Sequence, residues 1–126
     1  MKKSIVILLT VLMVVSMFSG CAKEAEVVKL AIAAPLTGDF AEYGTGFKNA
    51  VELMAEKWNT DKGGVLGKKI EVVVYDDKNN GEEAATIAEK IIGDPAIAGV
   101  VGHFASGVCM AASPTYQEAG IVEISP

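Results

Sequence analysis

Ser106 and Gly107 have the residue types and the setting to do chemistry. They follow an apolar run, Ile97 to Val101, and a short turn, His103-Phe104-Ala105, and they open a small-residue stretch that continues to Ala119. A strand, a turn and a helix start, in that order, leave backbone N–H groups unpaired beside the strand's carboxyl end, which is a place to hold an anion. The Ser106 hydroxyl would add a charge-assisted hydrogen bond to a carboxylate. Gly107 has no side chain to keep such an anion away from the backbone. A serine at a helix start is also an ordinary cap.

The other chemically able residues carry less pattern. Tyr43 lies in PLTGDFAEYG, a segment read as a long loop after the first strand, where its ring would either cover a ligand or stand on the surface; Thr37 and Gly38 in the same segment raise the same question more weakly. His103 is the only histidine. Without a Ser-and-Asp pattern or a second His or Cys, it reads as a loop residue making local hydrogen bonds rather than a catalyst or metal ligand. Asp76 and Asp77 would end a strand at the same edge, where they fit either a magnesium site or caps for the next loop and helix. Cys109, between Val108 and Met110, reads as a small buried core residue. Neither GxGxxG nor GxxxxGK[ST] occurs, so no nucleotide, cofactor or metal is expected.

The elements that must position these residues alternate. Val27 to Ala34 and Lys69 to Tyr75 are nearly continuous apolar runs, as strands buried on both faces are, and Ile121 to Ser125 reads as a fourth strand. Between Thr45 and Asn59, Phe47, Ala50, Val51, Met54 and Trp58 recur at helical steps, and Gly63 and Gly64 end that helix. Glu82 to Ile92 places Ala84, Ile87, Ala88 and Ile91 on one side, with Glu82 and Glu83 favouring the helix start. Pro114 implies either one kinked helix from Ser106, the preferred reading, or a fresh helix capped by Ser113. The fold class is therefore α/β, a parallel sheet with helices on both faces. Right-handed crossovers bring the loops after the first and third strands together at the carboxyl edge.

The chain begins differently. Lys2 and Lys3 precede an uncharged run from Ser4 to Ala22, the layout of an export signal over residues 1–20. Ser19, Gly20 and Cys21 resemble a bacterial lipobox, with Phe18 at the position where leucine is common. The resemblance implies a lipid on Cys21, the alternatives being a plain cleaved signal or a retained membrane helix; the polar run after it makes 21–26 a spacer before an exported domain over 27–126. Without Lys2 and Lys3, nine lysines and no arginine face sixteen acidic residues. Such a surface argues against nucleic acid and offers anionic lipid no basic patch, so membrane attachment would rest on Cys21.

Three segments, VKLAIAAPLTGDFAEYG, GVLGKKIEVVVYDD and VVGHFASGVCMAASPTYQEAGIVEISP, together resemble the leucine/isoleucine/valine type of periplasmic binding protein, the substrate-binding component of branched-chain amino-acid ABC importers. The resemblance covers about Val28 to Pro126. It implies part of the first lobe of a two-lobed type I periplasmic-binding-protein fold, no catalysis, and an ABC permease as partner. It also implies that Ser106 helps to hold a ligand carboxylate, with Phe104 and Ala105 lining the pocket beside it and Tyr43 packing on the ligand. Some members pair cysteines at the places held here by Asn79 and Ala105, and Glu123 interrupts a usually apolar strand. The rival classes are a receptor or sensor ectodomain of the same fold, the same fold binding another small ligand such as an amide, and an exported enzyme on a flavodoxin-like sheet using His103 or the aspartates.

Overall fold

The computed structural model describes residues 27–126. The export signal, Cys21 and the spacer lie outside the described residues. The elements are β1 (Val27–Ala34), α1 (Ala41–Lys62), β2 (Lys69–Asp76), α2 (Gly81–Ile92), β3 (Ile97–Gly102), α3 (Ser106–Ala119) and β4 (Val122–Ile124). All strand pairs are parallel, in the order β2-β1-β3-β4. The chain leaves β1 in one direction to make β2 and returns across it to make β3, so the strand order switches between β1 and β3 and the loops after them meet at one edge.

Helices cover both faces, unequally. α2 and α3 pack together on one side, where Ala31, Ala33, Ile87, Ile91, Val108 and Tyr116 form a single buried cluster. Alanines on both sheet and helices let the two layers approach closely. Asn80 starts α2, its Oδ1 accepting the N–H groups of Glu82 and Glu83 at 2.9 and 3.0 Å. α1 has the other face to itself. Its far end is fixed by Asn59, whose amide donates to the Ile70 carbonyl at 2.8 Å and accepts the Ile70 N–H at 2.7 Å. Between these anchors an apolar groove of about 370 Å³ remains under Met54 and Trp58, floored by Leu30, Ile70 and Val101.

Two expectations are corrected here. The segment before Thr45 is not all loop: α1 begins at Ala41, so Tyr43 lies in its first turn. Gly44, which looked like a loop residue, is buried where the helix crosses the Pro35 carbonyl, and a Cβ there would overlap that oxygen. Cys109 is only partly buried, and its thiol donates to Glu123 Oε1 at 3.3 Å. Glu123 is tolerated in β4 because Ser113 Oγ also donates to it, at 2.6 Å. Pro114 lies inside one continuous α3, as preferred. The proline has no N–H to donate to the Met110 carbonyl.

Candidate ligand-binding site

The carboxyl edge of the sheet gathers the residues singled out by sequence. β3 ends at Gly102, whose φ of 146° and close approach to the Ala33 carbonyl exclude a side chain. His103, Phe104 and Ala105 then turn the chain into α3. Ala105, not Ser106, is the residue preceding the helix: its carbonyl accepts the N–H groups of Val108 and Cys109, each at 2.9 Å. Ser106 is thus the first helical residue rather than the cap. The N–H groups of Ser106 and Gly107 belong to the turn that has no intrahelical acceptor. Both residues are exposed, and the space beside the Gly107 Cα is open.

Tyr43 and Phe104 meet across this edge, their rings stacked with centroids 5.2 Å apart and planes 14° apart. Phe40 and Phe47 lean on Phe104 at 5.8 and 5.6 Å. Phe40 and Phe47 were not identified as site residues, although Phe40, Tyr43 and Phe47 fall at three- and four-residue steps, the signal of one helix face. The sequence has four phenylalanines, and three stand here. Apart from Tyr116, the core is correspondingly left to alanine, valine and isoleucine. Ala105 contributes differently from its neighbours: its side chain packs against the α2/α3 core, so only its backbone serves the turn.

The aspartates hold the two halves of this edge from beneath. Asp76 Oδ1 accepts the Leu36 and Lys78 N–H groups at 2.8 and 2.9 Å, and Thr37 Oγ1 donates to Oδ2 at 2.6 Å. Burial pushes the Asp76 carboxyl up, but these hydrogen bonds outweigh it and hold the group below the ordinary carboxylate value. A carboxyl depressed in the folded state contributes stability above its unfolded value and loses it as pH falls through the folded one. The β1–α1 loop is accordingly expected to loosen below about pH 4. Amide exchange at Leu36 and Thr37, corrected for intrinsic rates, should rise there in the wild type and be insensitive to pH in Asp76→Asn.

Asp77 and His103 are both fully buried. His103 Nδ1–H donates to Asp77 Oδ2 at 2.7 Å, and Nε2 faces the Tyr116 hydroxyl at 3.3 Å. The reading of His103 as a loop residue making local hydrogen bonds is therefore corrected, since its side-chain partners lie 26 and 13 residues away. Among the described residues no group of three or more His, Cys, Asp or Glu side chains is arranged to hold a metal.

A parallel sheet in this order, with two loops converging where the strand order switches, is part of a lobe of the type I periplasmic-binding-protein fold. The chain belongs to the periplasmic binding protein family: the family model so described matches residues 27–126. It is 34% identical over 114 residues to the leucine-, isoleucine-, valine-, threonine- and alanine-binding protein of Pseudomonas aeruginosa, covering 90% of this chain and 30% of that protein. Among solved structures it resembles the branched-chain amino acid transporter substrate-binding protein LivJ from Streptococcus pneumoniae in complex with isoleucine, with a TM-score of 0.74 and 33% identity over 79% of this chain and 28% of that one. A fatty acid ABC transporter substrate-binding protein from Thermomonospora curvata matches with a TM-score of 0.70 and 27% identity over 79% of this chain and 25% of that one. The chain thus spans less than a third of the length of these relatives.

Proposed function

We propose that these residues form one wall of the ligand site of an exported, lipid-anchored solute-binding protein, which captures an amino acid of the branched-chain class and presents it to an ABC permease without catalysing a reaction. The observation that carries this reading is the juxtaposition of two unlike surfaces: the first turn of α3 at Ser106 and Gly107, able to take a carboxylate, and the Tyr43–Phe104 stack, able to take an apolar side chain. Relatives named for leucine, isoleucine and valine favour that ligand class. The enzyme reading loses support because His103 is buried and the carboxylates of Asp76 and Asp77 are already hydrogen-bonded.

Calorimetry on the full-length exported protein with leucine, isoleucine, valine, an amide and a fatty acid tests the ligand class. Ser106→Ala should weaken leucine binding about tenfold, the loss of one charge-assisted hydrogen bond with the backbone donors left in place. Unchanged affinity would place the carboxylate elsewhere, and binding of only the fatty acid would replace the amino-acid reading. For the anchor, metabolic labelling with palmitate should mark the wild type and not Cys21→Ser. Label retained in that variant would exclude a lipid at this cysteine.

A further inference from the structure

We propose that His103 is a positioning residue for the ligand site: held between Asp77 and Tyr116, it fixes the backbone of the Phe104–Ala105–Ser106 turn and so sets how tightly the first turn of α3 holds a carboxylate. The inference rests on the reading of that turn as the carboxylate site, and it assigns a role to three buried polar side chains outside the site itself.

The partners of His103 come from three separate parts of the fold. Asp77 follows β2, two strands away from β3, and its own N–H is fixed to the Ala34 carbonyl at 3.1 Å. Its second oxygen, Oδ1, accepts the Asn79 N–H at 2.9 Å, so the carboxylate cannot swing. Tyr116 lies well along α3 and is 1% exposed. Ser125, just past β4, donates its hydroxyl to the His103 carbonyl at 3.0 Å. Side chain and backbone of one residue are thereby tied to β2, α3 and the end of β4, immediately before the turn that carries Ser106.

The protonation states follow from the partners. Burial, and then the carboxylates of Glu123 and Asp77, push the Tyr116 phenol well above its ordinary value. The phenol keeps its proton, and because the Asp77 carboxylate can only accept, from Nδ1–H, Nε2 of the neutral imidazole is the acceptor for the Tyr116 hydroxyl. A buried carboxylate and imidazole add little net stability compared with apolar residues of the same size, because desolvation offsets their attraction. What they add is direction: the hydrogen bonds are satisfied in one arrangement of the strand ends and not in its neighbours. In a core otherwise made of alanine, valine and isoleucine, the network lies where the backbone must be held accurately for binding.

Tyr116→Phe removes a single oxygen and keeps the ring. In the full-length protein it should raise the Kd for L-leucine about tenfold and speed amide exchange at Phe104–Gly107 about tenfold, while exchange in α2 and the interior of β1 stays as in the wild type. His103→Leu should do both more strongly. Should His103→Leu fail to fold, Tyr116→Phe decides alone. Unchanged exchange at Phe104–Gly107, or an equal rise throughout the sheet, would overturn the proposal, the second outcome marking the network as ordinary core. Ser106→Ala separates this from the parent reading. If that variant leaves leucine affinity intact while Tyr116→Phe still frees the turn, the carboxylate assignment fails and the positioning of the turn stands. If Ser106→Ala weakens binding but Tyr116→Phe changes neither affinity nor exchange, the positioning role fails alone.

Discussion

Gly44→Ala is expected to destabilise the fold by about 3 kcal/mol and to detach the start of α1 from the sheet edge. The atoms that an alanine Cβ would meet are the carbonyl oxygen and carbon of Pro35. These belong to backbone at the end of β1 and cannot rotate away as a flexible side chain would. Either α1 lifts or the loop after β1 shifts, and both move Tyr43 away from Phe104. Gly46, two residues on in the same helix, has open space where its Cβ would be. Gly46→Ala should therefore stabilise by up to about 1 kcal/mol, from helix propensity and a less flexible unfolded chain. The same substitution with opposite sign two residues apart separates packing from propensity. Urea unfolding followed through Trp58 fluorescence gives both values, and a loss below about 1 kcal/mol at Gly44 would show that the close approach relaxes cheaply.

The contrast at Gly44 also explains why the start of α1 was hard to read. By local rules Gly38, Gly44 and Gly46 look like punctuation, and only Gly38, with φ of 80°, serves a turn. The tertiary approach that requires Gly44 has no trace in its sequence neighbours. The strands were legible for the opposite reason: β1, β2 and β3 are nearly continuous apolar runs, although only the second half of β1 and most of β3 are buried and the edge strand β2 is only partly so. α2 was legible because the four positions on its apolar side, Ala84, Ile87, Ala88 and Ile91, are all buried as the helical spacing requires. Serine and glycine types likewise marked the first turn of α3. His103 was misread because a polar residue beside a turn is ordinarily solvated, and what keeps this one dry lies on β2 and α3.

The amphipathic pattern of α1 shows a further limit. Ala50, Val51, Met54 and Trp58 do line the groove against the sheet, but the buried position beside them is Ala55, which the pattern missed, while Met54 is 56% and Trp58 46% exposed, and Val122 and Ile124 on β4 are more than half exposed. A second apolar groove of about 300 Å³ runs beneath them, between Ile70 and Ala98. Periodicity states which side of a helix is apolar. It does not state what covers that side, and the described residues cover it only in part.

That asymmetry sets up the other large effect. Ile91→Ala should cost about 4 kcal/mol, toward the upper end for such truncations. Ile91 is 0% exposed, in the layer where α2 meets α3 and the sheet. Its neighbours in that layer include Ala31, Ala33, Ala88 and Ala112, whose methyl groups cannot reach into the vacated volume. The cavity stays open, and the lost dispersion contacts add to the lost transfer energy. Ile91→Val should cost about 1 kcal/mol, and Leu53→Ala, at a position 63% exposed on α1, less than about 0.5 kcal/mol. With the stability of a domain this size at about 5–15 kcal/mol, the first change removes a large share and the last almost none. The consequence reaches the candidate site through α3, because the layer that Ile91 fills is the one on which Val108, Ala112 and Tyr116 seat that helix, and Ser106 stands at its start. Urea midpoints for the three variants measure the ranking. Equal losses for Ile91→Ala and Leu53→Ala would mean that the α1 face carries as much of the core as the α2/α3 face, against the packing seen here.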